Sequence, residues 1–168
     1  MPKPLPTDFN PFYGTYVHLV PQHEALEAIV TNTSQVVRFF QSIPVDKQHY
    51  AYAPGKWTIK QVLQHITDAE RIFAYRALRF VRADETPLPG WEENDYAAHA
   101  RVDHLHWNDM IDEFLHVRKA SEHLYKHLNE AELARSGTAN NSFITVNALG
   151  FVIPGHALHH MKVIEERY

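Results

Sequence analysis

The stretch Asn147-Ala-Leu-Gly-Phe-Val-Ile-Pro-Gly-His156-Ala-Leu-His159-His160-Met-Lys-Val-Ile-Glu-Glu-Arg-Tyr168 decides how the chain is read. Leu149, Val152, Ile153, Ala157, Val163 and Ile164 recur at helical spacing, so the segment predicts an amphipathic helix with one apolar stripe. His156 and His160 lie four residues apart within that stripe. On a helix, residues i and i+4 are neighbours on one face, with Cβ atoms roughly 6 Å apart. Two imidazoles so placed and turned into a core can share a metal ion. The competing reading is a set of core histidines satisfied by backbone or water. A metal needs a third ligand from another helix, and the rest of the chain can be searched for it.

Working backwards, residues 129–143 are polar and contain Ser136-Gly137 and Asn140-Asn141, which reads as a loop. Before it, Trp107, Met110, Ile111, Phe114, Val117, Leu124 and Leu128 mark a helix from about Leu105 to Leu128. Residues 84–103 carry Pro87, Pro89-Gly90 and several acidic groups. So long a connection frees the helices on either side from being antiparallel neighbours, and a crossover bundle is allowed. The next helix back has Thr58 as its N-cap and Gln61 to complete a capping box. Its stripe of Ile59, Val62, Leu63, Ile66, Ala69, Ile72, Phe73, Ala77 and Phe80 carries it to about Ala83. His65 falls on the inward side of that wheel and supplies the third ligand. An imperfect helical pattern runs from Pro21, at the first helical position, to Ser42, and Ile43-Pro44 ends it. Residues 1–20, rich in Pro and aromatics, predict an arm packed on the body. No strand alternation is convincing. The expectation is a single all-α domain over residues 1–168, a four-helix bundle of the kind that builds metal sites from side chains on facing helices.

Composition narrows the chemistry. The chain has 168 residues, 45% hydrophobic and 21% charged, with a formal net charge of -4. With 16 basic against 20 acidic residues and no basic run, a nucleic-acid partner is not expected. No apolar run is long enough for a membrane span, and the start lacks a signal-peptide pattern. There are no cysteines, so a transition-metal site must use histidine and carboxylate, and the expected location is cytoplasmic. Thirteen histidines stand out. His123 and His127 also have i, i+4 spacing, but they lie off the apolar stripe and face solvent. His104 and His106 sit at a helix start. His18, His23, His49, His99, His116 and His159 have no partner at ligand spacing, and His159 turns about a hundred degrees from His160.

The motifs Gly55-Lys-Trp57-Thr-Ile-Lys-Gln-Val-Leu-Gln-His65, Glu70-Arg-Ile-Phe-Ala-Tyr-Arg76-Ala-Leu-Arg79-Phe, Pro87-Leu-Pro-Gly-Trp-Glu-Glu-Asn94-Asp-Tyr96, Gly155-His156-Ala-Leu-His-His160 and Glu166-Arg167-Tyr168 resemble the DinB superfamily, in its branch similar to YfiT-type metal-dependent hydrolases. Tyr16-Val-His-Leu-Val-Pro21 extends the resemblance over nearly the whole chain. It implies an up-down-down-up four-helix bundle. It also implies a divalent metal, zinc or nickel, on three histidines that correspond to His65, His156 and His160. A homodimer is implied too, and a small-molecule substrate, which in some relatives is a low-molecular-weight thiol. Pro154 departs from the expected helix former and can kink the last helix, re-aiming the two histidines.

Three imidazoles leave a fourth metal position open to water or substrate, as in catalytic zinc sites. That arrangement suits a hydrolase that acidifies water or a transferase that binds a thiolate. No general base is identifiable from the sequence, and it leaves the catalytic residues unknown. Asp68 can orient the His65 ring, and Glu70 can either do so or pair with an arginine. Tyr16, Tyr96 and Trp91 are candidates for a pocket mouth. Three classes stay open in this order: a metal-dependent hydrolase or thiol transferase, a metal-binding or stress-related protein without turnover, and a structural bundle with histidines in its core.

Overall fold

The computed structural model describes residues 1–168. Four long helices form the bundle: α2 (Ala25–Gln41), α3 (Ile59–Val81), α5 (Trp107–Lys126) and α7 (Val146–Arg167). A short α1 (Gly14–Val17) precedes them, and α4 (Glu93–His99) and α6 (Glu130–Leu133) lie in the connections. The Thr58 hydroxyl accepts from the Gln61 N–H at 3.2 Å, while the Gln61 side chain accepts from the Thr58 N–H at 2.8 Å. This reciprocal cap satisfies two otherwise orphaned donors at the start of α3. Thr145 Oγ1 accepts from the Ala148 N–H at 3.1 Å and starts α7 in the same way.

Named contacts fix the directions of the helices. Trp107 Nε1 donates to the Phe40 carbonyl at 3.1 Å, and Arg118 Nη1 donates to Asn32 Oδ1 at 2.8 Å, so α2 and α5 are antiparallel. Lys60 Nζ donates to the Leu105 carbonyl and Arg118 pairs with Glu70, so α3 and α5 run parallel. Tyr168 donates to the Trp57 carbonyl and His65 meets His156, so α3 and α7 are antiparallel. Gly150 lies against Ala25, and Asn32 shares a cleft with Pro154, so α2 and α7 are parallel. The result is up-down-down-up, with α2 diagonal to α3 and α5 diagonal to α7.

Several expectations change. The first long helix begins at Ala25 rather than Pro21. Val17 and Val20 are buried and Lys3 Nζ holds the Val20 carbonyl at 2.6 Å, so the chain up to Pro21 belongs to the N-terminal arm. The segment read as loop after α5 contains a hairpin. Strands β1 (Ser136–Ala139) and β2 (Ser142–Thr145) pair antiparallel, with Ser136 opposite Thr145 and Ala139 opposite Ser142. Asn140 and Asn141 turn the corner at φ 50 and 57, the backbone of a two-residue primed hairpin turn. The long connection after α3 contains α4, which also escaped the sequence reading.

The largest change concerns α7, which is not amphipathic over its first three turns. Every residue from Ile144 to Ala157 is buried. The reason is the arm: Phe9, Tyr13 and Val17 cover the face that would otherwise meet solvent. Pro154 does not interrupt the helix. Two hydrophobic clusters divide the interior. On α3 the change from one to the other falls between Ile66 and Ala69, and on α7 between Ile153 and Ala157. His156 stands at that seam, and His65 lies next to it, one residue before Ile66. No helix is long and apolar enough to cross a membrane.

Candidate metal centre

Antiparallel packing of α3 on α7 brings the three sequence-selected histidines together. His65 Nε2 lies 3.0 Å from His156 Nε2, and His160 Nε2 lies 3.1 Å from the same atom. All three ligand atoms fall within 4.8 Å of one another. Two nitrogens at about 2.0–2.1 Å from one tetrahedral ion stand about 3.3 Å apart, close to the observed separations. The surroundings hold the rings in place. Trp57 tilts over His65 with 4.7 Å between ring centroids, Tyr16 meets His156 edge-on at 5.3 Å, and Phe73 meets it edge-on at 5.5 Å.

Gly55, at φ 74, makes the turn that delivers Trp57. Gly155 is required for a different reason: a Cβ there would lie 2.3 Å from the Tyr16 carbonyl oxygen. Its absence lets the arm reach the helix beside His156.

The electrostatics favour uncharged imidazoles. Burial pushes the His65 pKa down to about 4, and charge on the neighbouring His159 adds to the shift. Burial is the main cause at His160 too, down to about 2, with repulsion from His65 and His159. His156 is held well below its ordinary value by burial and then by the other imidazoles. Three neutral imidazoles that turn their Nε2 atoms toward one another form a donor set in the tautomer that keeps the proton on Nδ1. A divalent cation satisfies such a set, so these residues fit the metal that the spacing suggested.

The remaining candidates are placed as follows. His159 is half-buried, stacked edge-on with Tyr16 and His160, and outside the three-nitrogen group. Nine histidines, His123 and His127 among them, are exposed. Neither Asp68 nor Glu70 bonds a site histidine. Asp68 accepts from Gln64 and Arg71, and burial raises its pKa. Glu70 takes the Arg118 Nε through both oxygens, at 2.8 and 2.9 Å. Trp91 and Tyr16 line a cleft of about 250 Å³ that reaches His156, whereas Tyr96 lies outside it.

Two residues that sequence reasoning left without a role also line this cleft: Glu93 and Arg76. Glu93 Oε2 is 4.0 Å from His65 Nε2. Partial burial, then Glu92, raises the Glu93 pKa, and Glu93 in turn helps burial push the Tyr16 hydroxyl up to about 12. The available signal for Glu93 was an acidic pair after Pro89-Gly90-Trp91, where a helix first turn favours carboxylates. A second cleft reaches the cluster at His160, between Tyr52, Lys56, Trp57 and Tyr168.

The crossover bundle and the histidine triad, with His65 and His156 buried and His160 partly so, together define a class, and comparison with known proteins places the chain in it. The chain belongs to the DinB superfamily, whose family model matches residues 28–164. It is similar to the Oceanobacillus iheyensis protein named "Putative metal-dependent hydrolase OB0413", with 29% identity over 76 residues. That match spans 45% of this chain and 43% of the relative, less than half of either. YfiT from Bacillus subtilis, described as "a probable metal-dependent hydrolase with an unusual four-helix bundle topology", shares the fold. It superposes with a TM-score of 0.69 at 20% identity, over 98% of this chain and 90% of that one.

Proposed function

We propose that this chain is a metal-dependent hydrolase in which Nε2 of His65, His156 and His160 holds one zinc or nickel ion. The observation that carries the reading is the convergence of three uncharged ring nitrogens at 3.0 and 3.1 Å beside an open cleft. When bound, the ion supplies Lewis acidity at its free position. Glu93 is the proposed general base, with Oε2 taking the proton of an attacking water. Its raised pKa and its 4.0 Å distance from His65 Nε2 suit that task. Trp57, Phe73 and Tyr16 keep the imidazoles oriented and exclude bulk water from them.

Transfer of a low-molecular-weight thiol is the second reading, favoured by the two separate clefts that reach the cluster at His156 and at His160. A two-substrate reaction uses both, and a soft thiolate suits the same ion. A second copy of the chain is proposed as partner on the family resemblance alone.

The first test is metal content by elemental mass spectrometry on untagged protein prepared without nickel, beside His160→Ala. The expected result is about one ion per chain, lost in the variant. Hydrolysis of a panel of activated esters and amides follows, beside Glu93→Gln. That variant should keep its metal and lose about 10²-fold or more in kcat. Wild-type protein that takes up neither zinc nor nickel would end the reading.

A further inference from the structure

Two arginines in the bundle are almost wholly buried, and their surroundings differ. Arg118 is 0% exposed and neutralised by Glu70. Arg76 is 2% exposed, yet none of the chain's ion pairs includes it. Its Nη2 donates to the Pro89 carbonyl at 2.9 Å, its guanidinium lies 5.0 Å from the Trp91 ring, and the Tyr13 hydroxyl lies beside it. These contacts fix the group's position without cancelling its charge. Burial works against that charge, and a buried cation without a counter-ion is costly. A guanidinium over an aromatic face presents a fork that matches a carboxylate or a phosphate.

Arg76 lines the same cleft as His156. Neither acidic residue there forms an ion pair with Arg76. Glu92 accepts from the Asn94 backbone N–H and side-chain amide, and Glu93 is turned to His65. We infer that this cleft takes a substrate bearing an oxyanion group, held by Arg76 while its reacting part lies at the histidines. The inference names the substrate class of the site proposed above, and its role in turnover rests on that reading. The anion subsite itself does not.

The test has two arms. In the first, metal-free protein labelled with ¹⁵N-arginine is titrated with glutarate and, separately, with inorganic phosphate, following the Arg76 Nε–Hε resonance. A saturable shift is expected with at least one probe, and which probe wins tells a carboxylate from a phosphate subsite. Loss of that resonance in Arg76→Met assigns it, and binding of the same probe followed by calorimetry should disappear in Arg76→Met and persist, weakened about tenfold, in Arg76→Lys. The wild-type titration stands alone if Arg76→Met fails to fold. No movement of that resonance at about 10 mM of either probe, tenfold above a Kd of about 1 mM, overturns the inference.

In the second arm, calorimetry on zinc-loaded protein compares neutral alkyl hydroxamates with their ω-carboxylate counterparts, using chains of different length. The best carboxylated member should bind about tenfold tighter than its neutral match, and Arg76→Met should erase the difference. Equal binding across every pair overturns the assignment to substrate. Failure to load zinc, with the glutarate or phosphate shift intact, overturns the three-histidine reading and leaves the anion subsite standing.

Discussion

Acid should weaken the metal-free protein in a way traceable to single histidines. The sign follows from burial. A free imidazole titrates near 6.5, while His65 in the folded chain titrates at about 4. Between those values the unfolded chain binds the proton and the folded chain does not, so falling pH favours unfolding. Stability from the neutral, buried ring is therefore complete above pH 6.5 and lost progressively as pH falls toward 4. At pH 5 the linkage expression gives a loss of about 2 kcal/mol for His65 alone. His156 and His160 act in the same direction, with their proton uptake coupled. The assay is urea unfolding at pH 7.5 and pH 5 in chelator, for wild type and His65→Gln. The wild type should lose at least about 2 kcal/mol more than the variant across that interval. Equal losses in the two proteins would refute the claim that burial keeps His65 uncharged.

Two further predictions concern packing. Arg118→Met strands the Glu70 carboxylate in the core and should cost about 3–5 kcal/mol in urea unfolding, whereas the double replacement Glu70→Leu with Arg118→Met should recover most of that loss. A single-variant cost below about 1 kcal/mol would show that the pair is not buried as described. Gly155→Ala drives a methyl to 2.3 Å from the Tyr16 carbonyl oxygen, a backbone atom that cannot rotate away. It should cost about 1–3 kcal/mol and loosen the arm from His156, read as faster amide exchange across Gly14–Val17.

The sequence was most legible where one residue's role depended on its own helix. Thr58 and Gln61 cap α3 as their spacing predicts, because the capping box is closed within four residues. The three histidines were legible because helical spacing put each on an inward face, and two inward faces of a small bundle meet. The amphipathic reading of α7 failed because an apolar residue looks the same whether its cover is the bundle or the arm. Only the fold shows Phe9, Tyr13 and Val17 packed over α7. The hairpin escaped because Ser136–Ala139 has four residues and no alternation of apolar side chains. Arg76 stood beside Ala77 on the inward side of α3, and nothing local distinguishes an arginine with a buried counter-ion from one without.

Glu93 escaped for a reason that belongs to the topology. Because α3 and α5 run parallel, the chain leaving α3 at Val81 must return the whole length of that helix before α5 begins. The 23 residues of α3 span about 35 Å at 1.5 Å per residue. An antiparallel bundle would make this turn in a few residues, with no backbone crossing the middle of α3. Here the return passes along α3 and is pinned there: Gln61 Nε2 donates to the Ala97 carbonyl at 3.2 Å, and Lys60 Nζ holds the Leu105 carbonyl at 2.7 Å. His65 lies one turn further along the same helix from Gln61. A helix packed at that level has its first turn, and therefore Glu93, beside the His65 ring. The crossover that looks like an expensive way to connect two helices is thus what brings a carboxylate, Trp91 and the cleft wall to the histidines. Shortening the connection between Val81 and Trp107 would remove them together.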